Sequence, residues 1–313
     1  MYRQQGLKQL FEKICPGRVK QWEPLGPYTT LRIGGRADWF VEPQKPSEIK
    51  QLLELVRLRH IPWFIMGQGS NLLVSDRGVR GLAIHLSSPG LPVKSKALKN
   101  NQVLLEVESG APLSKLVRWG IRNGLQGLEF LAGIPGSIGG AWAMNAGSYG
   151  KEIKDLTVYL NILASGGRVI RKRKKQLFFG YRILKLEPGE IILSGGLQVS
   201  RGNSETIRQE ARRLWSQRRS TQPLGQPSCG SVFKNPPEAF AGQLIEKAGL
   251  KGVERGQARI SEQHANFIVN QGGARAKEVL YLMNLIRTRV RKQFGILLEP
   301  EVRLWGCALK EIT

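Results

Sequence analysis

Three histidines and three cysteines are few for 313 residues, and neither type clusters. Cys15, Cys229 and Cys307 lie far apart and are odd in number, so no pair has metal-ligand or redox spacing. Free thiols in a reducing compartment are expected, and no metal site. Acidic residues are scarce as well: 24 Asp and Glu stand against 48 Lys and Arg, a formal net charge of +24. Nucleic acid, an anionic membrane surface and polyanionic small molecules all suit such a field. The chain nevertheless lacks a zinc finger, an aromatic RNA-binding strand motif and a basic zipper, so charge alone does not demand nucleic acid. Its densest run, Arg171 to Lys175, reads as a solvated turn.

No long hydrophobic run is present. The Met1 to Lys20 segment is studded with Lys and Arg and has no apolar core of signal-peptide type, so a cytoplasmic protein is expected. Only Phe130 to Gly150 is free of charge over a length near the ~20 residues that cross a bilayer. Six glycines, Pro135, Asn145 and three hydroxyl side chains within it argue against a span.

What is present is an ordinary globular composition, 41% hydrophobic and 23% charged, long enough for two or three cores. Apolar periodicity predicts a helix holding Ile49, Leu52, Leu53 and Val56, capped by Ser47, and a strand at Trp63 to Met66. Further strands are expected at Leu72 to Val74, Gly81 to Leu86, Gln102 to Val107, Thr157 to Ala164, Ile191 to Ser194 and Leu197 to Ser200. A helix at Leu113 to Asn123 is stopped by Gly124. The next, capped by Asn203 or Ser204, places Ile207, Ala211, Leu214 and Trp215 on one face and arginines on the other. Helices at Ala239 to Ala248 and Ala274 to Phe294 end at Gly249 and Gly295. The polar, Pro-containing segment Pro89 to Asn101 marks a boundary.

Two loops have the composition of phosphate cradles. Gly67 to Asn71 follows a strand, its glycines allow close backbone approach, and Ser70 and Asn71 offer hydrogen bonds; a tight turn is the structural alternative. Phe130 to Gly150 is too small-residued to build a core and too apolar for an ordinary loop. Its bare backbone amides suit a pyrophosphate and its apolar residues a flat ring.

In this order the loops carry a resemblance. Thr29 to Pro43 (TTLRIGGRADWFVEP), Gly67 to Asp76 (GQGSNLLVSD) and Gly127 to Gly150 (GLEFLAGIPGSIGGAWAMNAGSYG) resemble the UDP-N-acetylenolpyruvoylglucosamine reductase family. So do GSVFKNP at Gly230, AGLKG at Ala248, HANFIVN at His264 and LEPEVRLWG at Leu298. The resemblance implies an α+β protein: a two-subdomain FAD-binding region of the flavin oxidoreductase (PCMH-type) fold and a C-terminal α+β substrate-binding domain. The expected divisions are an extension at 1–21, FAD subdomains at 22–90 and 91–201, and the substrate domain at 202–313.

It also implies a cytoplasmic, monomeric enzyme of peptidoglycan precursor synthesis that takes a UDP-sugar and needs no nucleic acid. FAD is bound non-covalently and NADPH is the co-substrate; many sugar or alcohol oxidases of related architecture tether FAD through a histidine, and neither loop contains one. Gly67, Gly69, Ser70, Asn71, Gly133, Ile134, Pro135, Gly136, Gly139, Gly140, Ala143, Asn145 and Gly147 are expected to hold FAD. Ser231 corresponds to the family's proton donor, and Arg182 and Glu301 to the groups that stabilise the intermediate. Glu299 rivals Glu301, since both face one side of an extended strand; the position before Val302-Arg303 favours Glu301. Tyr181, Asn235, Lys251 and His264 fall at substrate-side positions. Two departures stand out. Ile183 and Leu184 follow Arg182 where the family usually has a residue and then a serine, and the interval from Arg182 to Ser231 is too short for the longer subclass's substrate-covering insertion and its lid tyrosine.

Overall fold

A computed structural model describes residues 2–88, 90–91 and 93–309. The helices are α1 (Tyr2–Ile14), α2 (Pro46–Leu58), α3 (Leu113–Arg122), α4 (Ile138–Ala143), α5 (Ile153–Leu156), α6 (Ser204–Thr221), α7 (Ala241–Lys247) and α8 (Ala276–Phe294). Two compact units are assembled from interleaved segments. The first takes Met1–Gln21, Trp39–Gln68 and Leu82–Arg218; the second takes Trp22–Asp38, Gly69–Gly81 and Arg219–Thr313.

In the first unit, the portions of Val19–Pro24, Arg36–Val41 and Val79–His85 that belong to it join Trp63–Met66 in one sheet, in the order Val19, Arg36, Val79, Trp63. Trp63–Met66 runs parallel to its neighbour, with Trp63 opposite Leu82. The helix α2 lays Ile49, Leu52, Leu53 and Val56 into this core. Its cap is not Ser47. The helix begins one residue earlier, and the Glu48 carboxylate accepts from the Gln44 and Lys45 amides at 2.7 and 3.4 Å. Residues 1–21 supply Phe11 and Cys15, both fully buried, to the same core.

A second, antiparallel sheet runs in the order Val169–Arg173, Thr157–Leu163, Ile191–Arg201, Gln102–Glu108, Val93–Ala97, with Leu125–Gln126 paired to the end of Ile191–Arg201. The two strands expected at Ile191 and Leu197 are therefore one. The basic run is only partly a turn. Arg171 and Lys172 lie in the edge strand, where Arg171 stacks on Tyr159 at 4.0 Å and Lys172 pairs with Glu190 at 2.7 Å. Nor is Phe130 to Gly150 too small-residued for a core: Phe130, Leu131, Ile138 and Trp142 are buried in it.

The helix α6 is capped by Asn203, whose side-chain Oδ1 accepts from the Glu205 and Thr206 amides at 2.9 and 3.1 Å. It buries Ile207, Ala211 and Leu214, but Trp215 is 42% exposed, against expectation. Four residues beyond Leu214 the inward stripe reaches Arg218, whose Nε is buried.

In the second unit an antiparallel sheet has the order Ser228–Ser231, Phe267–Asn270, Ala258–Ile260, Glu254–Arg255, and Arg303–Trp305 pairs in parallel with Leu72–Val74. The helix α8 packs Val279, Leu282, Met283, Ile286 and Val290 into its core and ends at left-handed Gly295. Asp76, at the end of the GQGSNLLVSD motif, accepts from the Ala276 and Lys277 amides at 2.7 and 3.0 Å. A carboxylate there meets the positive end of the helix dipole.

Candidate active site

Within the first unit, the second glycine-rich segment is stapled to the loop before α3. Gly139 and Ile138 donate to the Ser109 and Ala111 carbonyls, and Leu113 donates to that of Gly136, each at 2.9 Å. Ser137 caps α4 by accepting from the Gly140 amide at 3.3 Å. Gly67 ends the Trp63 strand against this cap. A Cβ there would overlap the Ser137 hydroxyl and stand 2.9 Å from its Cβ. A Cβ on Gly139 would stand 2.7 Å from Ser109 Cβ. These two glycines are therefore dictated by neighbouring protein atoms. Gly140 is different: it is exposed, and its nearest such neighbour would be at an ordinary 3.5 Å.

Gly133 and Gly136 have φ of 77° and 125°, conformations that glycine adopts without strain. Ile134 packs against the core, while Pro135 is exposed and Ala143 half-buried. Asn145 is fully buried at φ 42°. Its Nδ2 donates to the Gly180 carbonyl at 3.0 Å and its Oδ1 accepts from the Lys154 amide at 3.3 Å, so Asn145 ties the loop together. Gly147–Ser148 pairs with Lys151–Glu152 through a two-residue turn at Tyr149 and Gly150, both at positive φ. This segment fits FAD: it carries no side-chain charge from Phe130 to Gly150, and Gly140 lies open beside the α4 cap.

Arg182 belongs to the same unit. Phe178–Gly180 and Ile183–Lys185 form a hairpin whose two-residue turn is Tyr181-Arg182, with Arg182 at φ 57°. The departure at Ile183-Leu184 thus has a structural setting: those residues begin the returning strand, and Leu184 is buried in the core. The Asn145 bond to Gly180 anchors this hairpin, and Arg182 itself donates to the Gly147 carbonyl at 3.2 Å. Tyr181 is exposed, its ring 5.3 Å from the guanidinium.

The second unit sets the segments that hold Ser231 and Glu301 side by side. Ser231 ends its strand opposite Phe267, after an irregularity at Gly230 (φ 76°). Residues 299–302 run beside 232–234: Glu301 donates its amide to the Val232 carbonyl at 2.8 Å, and Lys234 donates its amide to the Glu299 carbonyl at 2.9 Å. Buried Asn266 bonds both the amide and the carbonyl of Phe233, at 3.0 and 2.8 Å, fixing the backbone beyond the serine. Burial separates the rival glutamates. Glu299 is exposed and pairs with Lys234 at 3.2 Å, whereas Glu301 is half-buried, and burial together with its charge pushes the Cys229 thiol up to about 12.

In this unit Gly69 has φ 57°, and a Cβ on it would stand 2.9 Å from Thr29 Cα. Half-buried Ser70 adjoins it in the same loop. Asn71 donates to the Glu301 carbonyl at 3.0 Å and accepts from the Arg303 amide at 3.0 Å, which ties the loop to the Glu301 segment. Asn235, Lys251 and His264 all gather around α7. Asn235 Oδ1 accepts from the Ala241 amide at 3.0 Å, and Lys251 pairs with Glu246 at 2.7 Å. His264 lies against Gly242, and its Nδ1 accepts from the Asn266 amide at 3.2 Å, which assigns the ring proton to Nε2. Burial, helped by the Lys251 charge, lowers its pKa, which favours the neutral ring. Asp76, Asn266 and the structural role of Asn145 were not legible in sequence, because each acts on backbone groups that only folding brings near.

A family model described as "FAD binding domain" matches residues 37–172, and one described as "UDP-N-acetylenolpyruvoylglucosamine reductase, C-terminal domain" matches 222–305. The chain is similar to UDP-N-acetylenolpyruvoylglucosamine reductase of Heliobacterium modesticaldum, 42% identical over 292 residues that cover 93% of this chain and 91% of that one. It is similar to that of Halalkalibacterium halodurans, 42% identical over 304 residues covering 96% and 99%. The crystal structure of UDP-N-acetylenolpyruvylglucosamine reductase from Thermus caldophilus superposes with a TM-score of 0.78 at 36% identity, covering 92% of this chain and 99% of that one. An FAD-binding domain, an α+β architecture and relatives of this likeness along nearly the whole length make the chain an FAD-dependent oxidoreductase that belongs to the UDP-N-acetylenolpyruvoylglucosamine reductase family.

Proposed function

We propose that this protein reduces UDP-N-acetylglucosamine enolpyruvate to UDP-N-acetylmuramate at the expense of NADPH, in peptidoglycan precursor synthesis. The observation that carries the reading is that the Glu301 backbone is bonded to Val232, the residue after Ser231, in a member of this family. Bound FAD would supply the redox chemistry, accepting hydride from NADPH and passing it to the terminal carbon of the enolpyruvyl alkene.

The protein's own part is positioning and charge. Hydride addition sends the alkene electron pair toward the adjacent carbon and its carboxylate. Arg182, held at its hairpin turn by Gly147, meets that negative charge with a planar, always-ionised guanidinium. Glu301 is the second group that stabilises the intermediate in this reading. The Ser231 hydroxyl gives its proton to the new carbanion, and water restores it. Gly67, Gly133, Ile134, Pro135, Gly136, Gly139, Gly140, Ala143, Asn145 and Gly147 would hold the cofactor together with Gly69, Ser70 and Asn71; Asn235, Lys251, His264 and Tyr181 would meet the UDP-sugar.

In this reading the regions 22–90 and 91–201 serve FAD, and 202–313 binds substrate. The enzyme is read as a cytoplasmic monomer of the shorter subclass that needs no nucleic acid; among the described residues no helix is long and apolar enough to cross a membrane. Net charge of +24 favours its three polyanionic ligands. Ser231→Ala supplies the test. Bleaching of the flavin by NADPH should persist while formation of UDP-N-acetylmuramate collapses. Loss of both half-reactions, or of neither, contradicts the assignment of the proton.

A further inference from the structure

The first unit contains a second inward-turned guanidinium that the reaction as derived does not use. Along α6 the inward residues are Ile207, Ala211 and Leu214, and the next position of that stripe is Arg218 rather than an apolar side chain. Its Nε is buried, and burial depresses its pKa, with the Arg182 charge acting in the same direction. Tyr149 receives this arginine: its ring centroid lies 5.9 Å from the Arg218 guanidinium, and its hydroxyl donates to the Leu214 carbonyl at 2.8 Å, locking the ring to α6. A Cβ on Gly133 would stand 2.9 Å from Arg218 Cδ, so the glycine leaves room for the stem. Arg182 reaches the same loop from the hairpin through the Gly147 carbonyl, two residues from Tyr149.

Two like charges from different elements thus converge on the segment that fits FAD. Bringing them together costs energy that a bound anion between them recovers. The head groups of both arginines lie on half-buried side chains, partly desolvated, where charge-assisted hydrogen bonds to an oxyanion are strongest.

We propose that Arg218 pairs with Arg182 to bind an oxyanion of the UDP-sugar substrate, its carboxylate or its diphosphate, and that Tyr149 positions Arg218 for this. The proposal rests on the reductase reading.

The experiment uses the FAD-loaded full chain and compares wild type with R218Q and R218K. Flavin content, the rate of flavin bleaching by NADPH, kcat and KM for the enolpyruvyl UDP-sugar, and the dissociation constant of UDP-N-acetylglucosamine from the flavin spectrum are measured. R218Q should keep its flavin and raise the substrate KM on the order of 10- to 100-fold, the loss expected for a hydrogen bond to a charged group, with R218K intermediate. UDP-N-acetylglucosamine has the diphosphate but no carboxylate: weaker binding of it by R218Q places Arg218 on the diphosphate, and unchanged binding places it on the carboxylate. Substrate KM within twofold of wild type overturns the proposal, and so does loss of flavin in both variants, which would make Arg218 a structural residue. A wild-type enzyme that does not turn over the enolpyruvyl sugar would instead overturn the reductase reading.

Discussion

Replacing Gly67 by alanine separates what the protein asks of this loop from what the flavin asks. The Gly67 backbone lies outside the left-handed region, so alanine meets no conformational penalty there. The new methyl group instead meets Ser137, overlapping its hydroxyl and standing 2.9 Å from its Cβ. The hydroxyl must rotate away from the Gly140 amide, which removes the cap of α4 at a cost of about 1 kcal/mol. The Cβ contact adds overpacking strain of about 1–3 kcal/mol. A total of about 2–4 kcal/mol should lower the melting temperature of the flavin-free protein by roughly 5–15 °C. Adding S137G removes both overlapping atoms, and glycine is itself an acceptable cap, so G67A/S137G should recover most of the loss. G140A is the counterpart: its methyl group has space at 3.5 Å and sits in a helix, so flavin-free stability should be unchanged or slightly raised. FAD affinity, read by fluorescence titration, should nevertheless fall on the order of tenfold, because the methyl group fills the open face of Gly140 that the cofactor is proposed to approach. A G67A protein that melts like wild type, or one that S137G fails to rescue, would refute the packing argument. G140A with full FAD affinity would refute the cofactor role of Gly140.

Other outcomes follow from the same geometry. N145D puts a carboxylate against the Gly180 carbonyl and should cost about 2–4 kcal/mol in denaturant unfolding, with a fall in kcat because the Arg182 hairpin loses its anchor. R182K keeps the charge but loses the planar fork; NADPH should still bleach its flavin while kcat for the enolpyruvyl sugar drops on the order of 100-fold. The bidentate bond to Arg18 and the Gln44 amide lower Glu48 to about 2 against burial. A depressed carboxylate stabilises the fold fully above its ordinary value of 4.5, and that contribution is lost as pH falls toward 2. Thermal unfolding of E48Q should therefore be less stable than wild type at pH 6, with the gap closing between pH 4 and 2. His264 is a depressed base: its unfolded form takes up a proton at about 6.5 and the folded form lower, so stability is complete above 6.5 and declines as pH falls below it. In H264Q that part of the decline between pH 7 and 5 should disappear from urea unfolding curves.

Much of the local structure was legible from the chain. Apolar spacing located α3, α7 and α8 to within two residues at each end and placed the inward face of α2, and Gly124, Gly249 and Gly295 stop their helices in left-handed geometry as expected. Such features depend on neighbours a few residues away, so sequence carries them. The cofactor class was legible for a related reason: a charge-free, glycine-rich segment has few uses other than close approach to a flat or phosphorylated ligand.

Tertiary structure decided whatever depends on partners distant in sequence. Glu299 and Glu301 have the same chemistry and face one side of an extended strand, and the run beside Val232 leaves the first exposed and the second half-buried. Gly67 and Gly139 had been read as bare for a ligand, yet Ser137 and Ser109 also demand them. Arg218 was one arginine among many on a basic helix until Tyr149 and Gly133, 69 and 85 positions earlier by their numbers, closed around its stem. Sequence alone determined the elements, the flavin class and the family resemblance, because these rest on local patterns. Which charges are buried, which of the two glutamates is half-buried and which arginines converge were decided by folding, because desolvation and electrostatic coupling depend on distances in space rather than along the chain.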